Sequence, residues 1–243
     1  MPVVTLYLDR LAKLVGKTNE NKILEVLPFL GLDIEEQTKE YVKVEYSPNR
    51  ADYATDVGIA AGLQGLLGIK KGIIKLNIKK EKNKLNIIKT DATIKKIRPY
   101  ISGIIAKNGK LDDETIRQLI ALQEDLHFVT GRRRKKASIG IHNLDVISFP
   151  LTYTAVSKDH KFVSLASSEE MTVQQILDNL SVGQDYGKIV ASHAKVPMIL
   201  DAMGNTISFP PIINSTLTTV STNTTNLLVE VTGTDKNAVD DIL

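Results

Sequence analysis

The sequence predicts an α+β fold, with a small N-terminal α+β domain over residues 1–90 and a larger mixed α/β domain over 91–243. Three observations lead there. Up to Gly68, short alternating runs are interleaved with helically spaced apolar residues that end at glycines. Residues 73–90 then alternate apolar residues with lysine, as strands or an extended linker with a solvated face, and the domain boundary is placed near residue 90. From Tyr100 onward, strand-like runs alternate with well-capped helices and hairpin turns.

In order, residues 3–8 read as a strand and Asp9–Leu14 as a helix closed by Gly16. A second helix starts at Asn19 or Asn21. Pro28 shortens or kinks it, because proline removes a donor and clashes with the preceding turn, and Gly31 closes it. A strand follows over 42–46, then the turn Ser47–Asp52. A helix from Asp56 to Leu67 carries Gly58, Ala60, Ala61, Gly62 and Gly65, small enough for another element to approach closely. In the second domain, 101–107 reads as a buried strand. Asp112 or Asp113 caps a helix with Ile116, Leu119, Ile120, Leu122 and Leu126 on its apolar side. Strands are expected at 137–147, 151–157 and 161–166. Thr172 and Gln175 form a capping-box pattern. A further helix is read over 184–191, and Gly204-Asn205 turns a hairpin between 196 and 211. The stretch Ile207–Asp235 contains Pro210-Pro211, a threonine-rich run and the alternating strand Leu227–Thr232. From its residues alone it reads either as an ordinary surface hairpin or as a small-molecule site with Glu230 on one strand face.

Composition narrows the function classes. The 42% apolar and 24% charged content is that of a soluble globular chain, and the net charge of +3 is too small to imply nucleic-acid binding by itself. Without cysteine there is no disulfide framework, thiolate zinc site or cysteine nucleophile. His127, His142, His160 and His193 make no His-x-x-x-His pair, so no metal site is expected. No apolar run reaches the ~18–20 residues of a membrane span, and the start lacks the basic and cleavage regions of a signal peptide. A cytoplasmic location is expected. Gly-x-Ser-x-Gly, Gly-x-x-x-x-Gly-Lys and Gly-x-Gly-x-x-Gly motifs are missing, which leaves a serine hydrolase or a nucleotide-binding loop without support.

Two local features carry possible chemistry. His142, in IGIHNLD, ends a strand, where it is either a turn histidine satisfied by its neighbours or a donor to a substrate. Arg132-Arg133-Arg134-Lys135-Lys136 follows a helix C-terminus, either as a solvated loop or as contacts to phosphate.

Four segments together carry a family resemblance: SPNRADYATDVGIAAGLQGLLG (47–68), RRRKKASIGIHNLD (132–145), VPMILD…ISFPPIINS (196–215) and VEVTGTD (229–235). In this order the chain resembles the N-terminal part of the β subunit of phenylalanyl-tRNA synthetase in its archaeal/eukaryotic form, over nearly its whole length. The resemblance implies that residues 91–243 are an aminoacyl-tRNA editing domain, which hydrolyses tyrosine wrongly attached to phenylalanine tRNA. The alternative is a non-catalytic module that binds tRNA or the partner subunit. A generic sugar- or peptide-binding protein has no positive motif.

By the same resemblance, Met198, Ile199 and Leu200 would wall the tyrosine ring, and Ser208, Glu230 and Thr232 would be the polar, discriminating positions. Pro210, Pro211 and Asn214 would shape the loop. His142 would bind the terminal adenosine or assist hydrolysis, and Arg132, Arg133, Arg134 and Lys135 would meet the tRNA acceptor end. Archaeal relatives tend to carry Asp-Val-Thr where this chain has Glu230-Val231-Thr232, so the carboxylate stands one methylene further out. No nucleophilic side chain is expected. A positioned water would attack the ester, helped by the terminal ribose hydroxyl or a polar side chain. The sequence stops at Leu243, within a helix begun at DKNAVDDIL, as expected of a piece of a longer subunit. ATP and magnesium chemistry would belong to the complete synthetase and not to this piece. Its partners would be phenylalanine tRNA and an α subunit, in a tetramer of two α and two β chains.

Overall fold

The computed structural model describes residues 2–16, 18–72, 77–79, 86–165 and 167–243. Much of the lysine-alternating stretch, 73–76 and 80–85, lies outside the described residues, as does Ala166 in the expected strand 161–166. The chain divides into two compact units. One is Met1–Lys79 with Arg117–Asp125, and the other is Lys80–Ile116 with Leu126–Leu243. The architecture is α+β, as the sequence predicts: a small N-terminal α+β unit and a larger mixed one.

In the first unit, β1 (Val3–Tyr7), β2 (Asp33–Gln37) and β3 (Tyr41–Glu45) form an antiparallel sheet in the order β1-β3-β2. The sheet packs against α1 (Leu8–Val15), α2 (Glu20–Val26) and α3 (Asp56–Leu66) around Leu6, Leu11, Ile23, Leu27, Val42, Val44, Ile59 and Leu63. Asp9 sits in the first turn of α1 and does not cap it; the cap position is Tyr7. Asn19 does cap α2, accepting from Lys22 N–H at 2.9 Å. Pro28 converts the end of α2 into a 3-10 turn, Leu27–Leu30, closed by Gly31 in left-handed geometry. The small residues of α3 admit a close neighbour as expected: a Cβ at Gly62 would stand 3.0 Å from Leu30 and 3.2 Å from the Tyr53 hydroxyl.

The second unit stacks two sheets. The first runs β12-β11-β10-β7-β4, from β4 (Ile88–Thr90), β7 (Leu151–Ser157), β10 (Lys195–Leu200), β11 (Thr206–Phe209) and β12 (Ile213–Asn214). The second runs β5-β13-β6, from β5 (Tyr100–Ala106), β6 (Ala137–Asn143) and β13 (Leu227–Gly233). The two sheets enclose a core of Leu151, Tyr153, Ile199, Ile207 and Leu228. On the outer face of the first sheet, α5 (Val173–Asn179) and α6 (Ser181–Tyr186) cover Val196, Met198 and Phe209. On the outer face of the second, α7 (Lys236–Ile242) covers Ala137 and Val231. A two-stranded ribbon, β8 (Lys161–Val163) with β9 (Glu170–Thr172), leads into α5 through the full Thr172–Gln175 capping box. The remaining helix, α4 (Asp113–Phe128), begins beside Asp112, whose carboxylate accepts from Thr115 N–H at 2.8 Å.

One expectation is corrected here, and one of two open readings falls away. The strand at 101–107 is not buried: β5 is a sheet edge, and its residues are half-buried or exposed. The Ile207–Asp235 stretch is no surface hairpin. Its last strand, β13, is the central strand of its sheet, and the Pro210–Pro211 turn, which holds a cis peptide, is buried.

Candidate functional site

Along β13 the two-residue period sends Leu228, Glu230 and Thr232 to one face and Val229 and Val231 to the other. Leu228 lies in the inter-sheet core, so Glu230 and Thr232 also point between the sheets. The β6 partners of these three residues are His142, Gly140 and Ser138. On the opposing sheet, Ile199 of β10 pairs with Ser208 of β11, and Ser208 pairs with Asn214 of β12, so these three share the inward face. Four sequence-predicted residues, Glu230, His142, Ser208 and Asn214, are thus gathered from both sheets into one polar end of an apolar layer.

Glu230 is 2% exposed and His142 is 0%. His142 Nε2 lies 3.8 Å from Glu230 Oε1. On its other side, His142 Nδ1 is hydrogen-bonded to Thr218 Oγ1 at 2.9 Å, which fixes the ring plane. Ser208 Oγ donates to Asn214 Oδ1 at 3.0 Å. Gly140 is what lets these groups converge. A Cβ there would stand 2.6 Å from Glu230 Oε1, 2.7 Å from His142 Nε2 and 3.3 Å from Asn214 Oδ1. Glu230 Oε2 and His142 Nε2 are buried without a hydrogen-bond partner among the described residues. Native proteins rarely leave such groups unsatisfied, and exceptions cluster at functional sites.

Beside this pair lies a buried cation that sequence reasoning missed. Arg98 is 1% exposed. Its Nε donates to Thr232 Oγ1 at 3.0 Å, and Nη2 donates to Thr232 O at 2.7 Å and to Ser138 Oγ at 3.0 Å. Nη1 donates to the carbonyls of Arg134 (3.2 Å) and Lys135 (3.4 Å). Burial pushes the Arg98 guanidinium down to about 10, with Tyr153 and Glu230 opposing the shift. The Tyr153 hydroxyl donates to the Arg98 carbonyl at 2.8 Å, and burial raises that phenol above its ordinary range.

The other predicted residues take different places. Thr232 is on the site face, but its hydroxyl is engaged by Arg98 and lies 3.2 Å from Ser138 Oγ. Met198 and Leu200 pack in the core under α5 and α6, while Ile199, between them, faces the site. Three consecutive strand residues cannot wall one slot, because alternate side chains leave opposite faces. Pro211 lies in the buried turn between Ser208 and Asn214. Arg134 is turned inward and is 9% exposed, whereas Arg132, Arg133 and Lys135 are exposed. His160 is half-buried and bonded to Thr206 Oγ1 at 2.8 Å. His127 is buried, and its Nε2 accepts from Ile139 N–H at 3.0 Å. Among the described residues, no group of three or more His, Cys, Asp or Glu could hold a metal ion, and no helix is long and apolar enough to cross a membrane.

No family model matches the chain. Individual proteins do. A phenylalanine–tRNA ligase β subunit from Archaeoglobus fulgidus is 43% identical over 237 residues, which is 98% of this chain and 43% of that protein. One from Methanosphaera stadtmanae is 40% identical over 245 residues, covering 100% of this chain and 43% of that protein. The crystal structure of an N-terminal fragment of the phenylalanyl-tRNA synthetase β subunit from Pyrococcus horikoshii matches with a TM-score of 0.91 at 33% identity. That match covers 100% of this chain and 71% of the fragment. The fold is therefore that of an aminoacyl-tRNA synthetase subunit. The chain belongs to the phenylalanyl-tRNA synthetase β-subunit family, as an N-terminal part of it, and spans 43% of the length of the two relatives.

Proposed function

We propose that the Glu230–His142 end of the inter-sheet layer is an editing site that hydrolyses tyrosine misattached to phenylalanine tRNA. The observation that carries this reading is the pair of buried, unpartnered polar atoms, Glu230 Oε2 and His142 Nε2, at the end of an apolar layer. Tyrosine differs from phenylalanine by one hydroxyl, and an apolar pocket cannot strongly reject an isostere that only adds one. A second site can discriminate the other way. The phenol donates to Glu230, and phenylalanine leaves that carboxylate unpaired, at a cost of about 1–3 kcal/mol. That is roughly 5- to 150-fold in rate.

In the reaction, water attacks the ester carbonyl carbon. The bond to the ribose oxygen breaks, and that oxygen takes up a proton, leaving free tyrosine and uncharged tRNA. Ser208 and Asn214 fix the loop that faces the ester, and backbone N–H groups near the di-proline turn polarise its carbonyl. Ile199 and Leu228 supply apolar contact to the ring. Arg132, Arg133 and Lys135 meet the acceptor-end phosphates. We further propose that the editing domain extends over 91–243. In the complete synthetase it acts beside an α subunit that ligates phenylalanine with ATP and magnesium, in a cytoplasmic tetramer of two α and two β chains.

A second reading, a non-catalytic module for tRNA or the partner subunit, rests on the exposed Arg132, Arg133 and Lys135 and on the engagement of the Thr232 hydroxyl by Arg98. One assay separates the two. The chain is incubated with tyrosyl-tRNA for phenylalanine and deacylation is followed over time. Acceleration over buffer that falls about tenfold or more in Glu230→Ala supports editing. A rate equal to buffer would reject it in favour of the binding module.

A further inference from the structure

We propose that Arg134 is a positioning residue of the site, clamping the di-proline turn from the rear so that Ser208 and Asn214 are held against Glu230. The inference rests on the editing reading for its catalytic consequence and on geometry alone for the clamp.

Pro210 and Pro211 bring no N–H donors to their turn, and the turn is buried. Buried carbonyls need donors from elsewhere. Arg134 supplies them: its Nη1 donates to the carbonyls of Pro211 at 3.2 Å and Ile212 at 2.9 Å. Its guanidinium carbon sits 4.3 Å from the ring centroid of Tyr186, at the end of α6, which sandwiches the cation between an aromatic face and the turn. Two residues beyond Ile212, Asn214 Oδ1 accepts from Ser208 and stands over Gly140 beside Glu230 and His142. A shift of the turn is therefore a shift of the polar end of the site.

The chain goes to some cost to deliver this side chain. Arg132, Arg133 and Arg134 all have left-handed backbones, with φ of 49°, 54° and 64°. For L-residues that conformation is disfavoured, because Cβ comes too close to the following carbonyl oxygen. Their amides are tied to the last carbonyls around α4, those of Val129, Phe128 and His127. The left-handed turn sends Arg134 inward while Arg132 and Arg133 stay exposed. A run that reads as one basic patch is split into an inward clamp and outward contacts. Strain that surrounding bonds over-determine is typical of segments with a functional position to hold.

The test uses the whole chain with Arg134→Gln, Arg134→Lys and Arg132→Gln. Arg134→Gln should lower kcat for tyrosyl-tRNA deacylation about tenfold, as the charged donor shared by the Pro211 and Ile212 carbonyls is lost. It should also lower the preference for the tyrosyl over the phenylalanyl ester, with KM for tRNA and its salt dependence unchanged. Arg134→Lys, which keeps one charged donor, should recover part of both. Arg132→Gln should do the reverse, raising KM and flattening the salt dependence while sparing the preference. Amide exchange provides a readout independent of activity: Arg134→Gln should speed exchange at Ile213 and Asn214 and leave Leu228–Val231 protected. If the parent does not deacylate, the editing reading fails, and the exchange measurement still decides the clamp. Unchanged protection at Ile213 and Asn214, or Arg134→Gln behaving like Arg132→Gln, would overturn the proposal.

Discussion

Gly140 shows how a single missing Cβ can hold a site open. Its Cα lies where Glu230, His142 and Asn214 converge, and a methyl there would overlap two of their polar atoms at 2.6 and 2.7 Å. In an ordinary strand, glycine weakens the element and alanine would be the better residue. Here Gly140→Ala should cut tyrosyl-tRNA deacylation by about tenfold or more, by forcing the carboxylate and imidazole apart. Thermal unfolding should change little, because the strand gains what the side chains lose. Full activity in that variant would show that the three groups do not act together. Glu230 and His142 were legible as polar residues on or at the end of apolar strands, whereas Ser208 and Asn214 came only through the family resemblance. Gly140 was legible only in part. It shares a strand face with His142 in IGIHN, but its position opposite Glu230 depends on a register 90 residues apart along the chain. Met198 and Leu200 could not be placed without knowing which sheet face meets β13.

Between elements, Arg98 does the joining. It binds Thr232 on β13, Ser138 on β6 and the carbonyls of the turn that follows α4, and its own carbonyl accepts from Tyr153 on β7. Among the described residues no acidic side chain is bonded to it, so the cost of burying its charge is met by oriented neutral oxygens and by the nearby Glu230 carboxylate. Arg98→Met should therefore destabilise the chain by about 3 kcal/mol, since several buried acceptors lose their donor at once. Denaturant unfolding measures this, and a change within experimental error would mean that water replaces the guanidinium without penalty. Nothing local marks this arginine. In KKIRPY it reads as one more surface cation, and its burial comes from partners up to 134 residues away. Elements with strong local signals fared better: the Thr172 capping box, the Gly204 hairpin and the Pro28 break all formed as expected. The edge position of β5 did not show, because its apolar run looks the same whether one face is covered or two.

At the scale of the whole chain, the packing units and the order of the sequence do not coincide. Residues Arg117–Asp125, in the middle of α4, pack with Met1–Lys79. Leu122 lies against the first unit's core, Gln118 accepts from Asp56 N–H at 2.9 Å, and the Tyr46 hydroxyl donates to Asp125. Burial and that hydrogen bond raise the Tyr46 phenol above its ordinary range, and burial raises the Asp125 carboxyl. The sequence places a domain boundary near residue 90, but no periodicity in α4 shows that its middle turns serve a core built from residues that precede it. A chain of residues 80–243 keeps the second unit's strands and every residue of the proposed site, and strips α4 of these partners. It should unfold at a temperature several degrees below the full chain, since a loss of about 1 kcal/mol moves the midpoint by roughly 2–4 °C in a chain of this size. Substituting Gln118 and Asp125 should narrow that gap by lowering the full chain toward the short one, and have little effect on the short chain itself. Coincident unfolding curves for the long and short chains would show instead that α4 is held by the second unit alone.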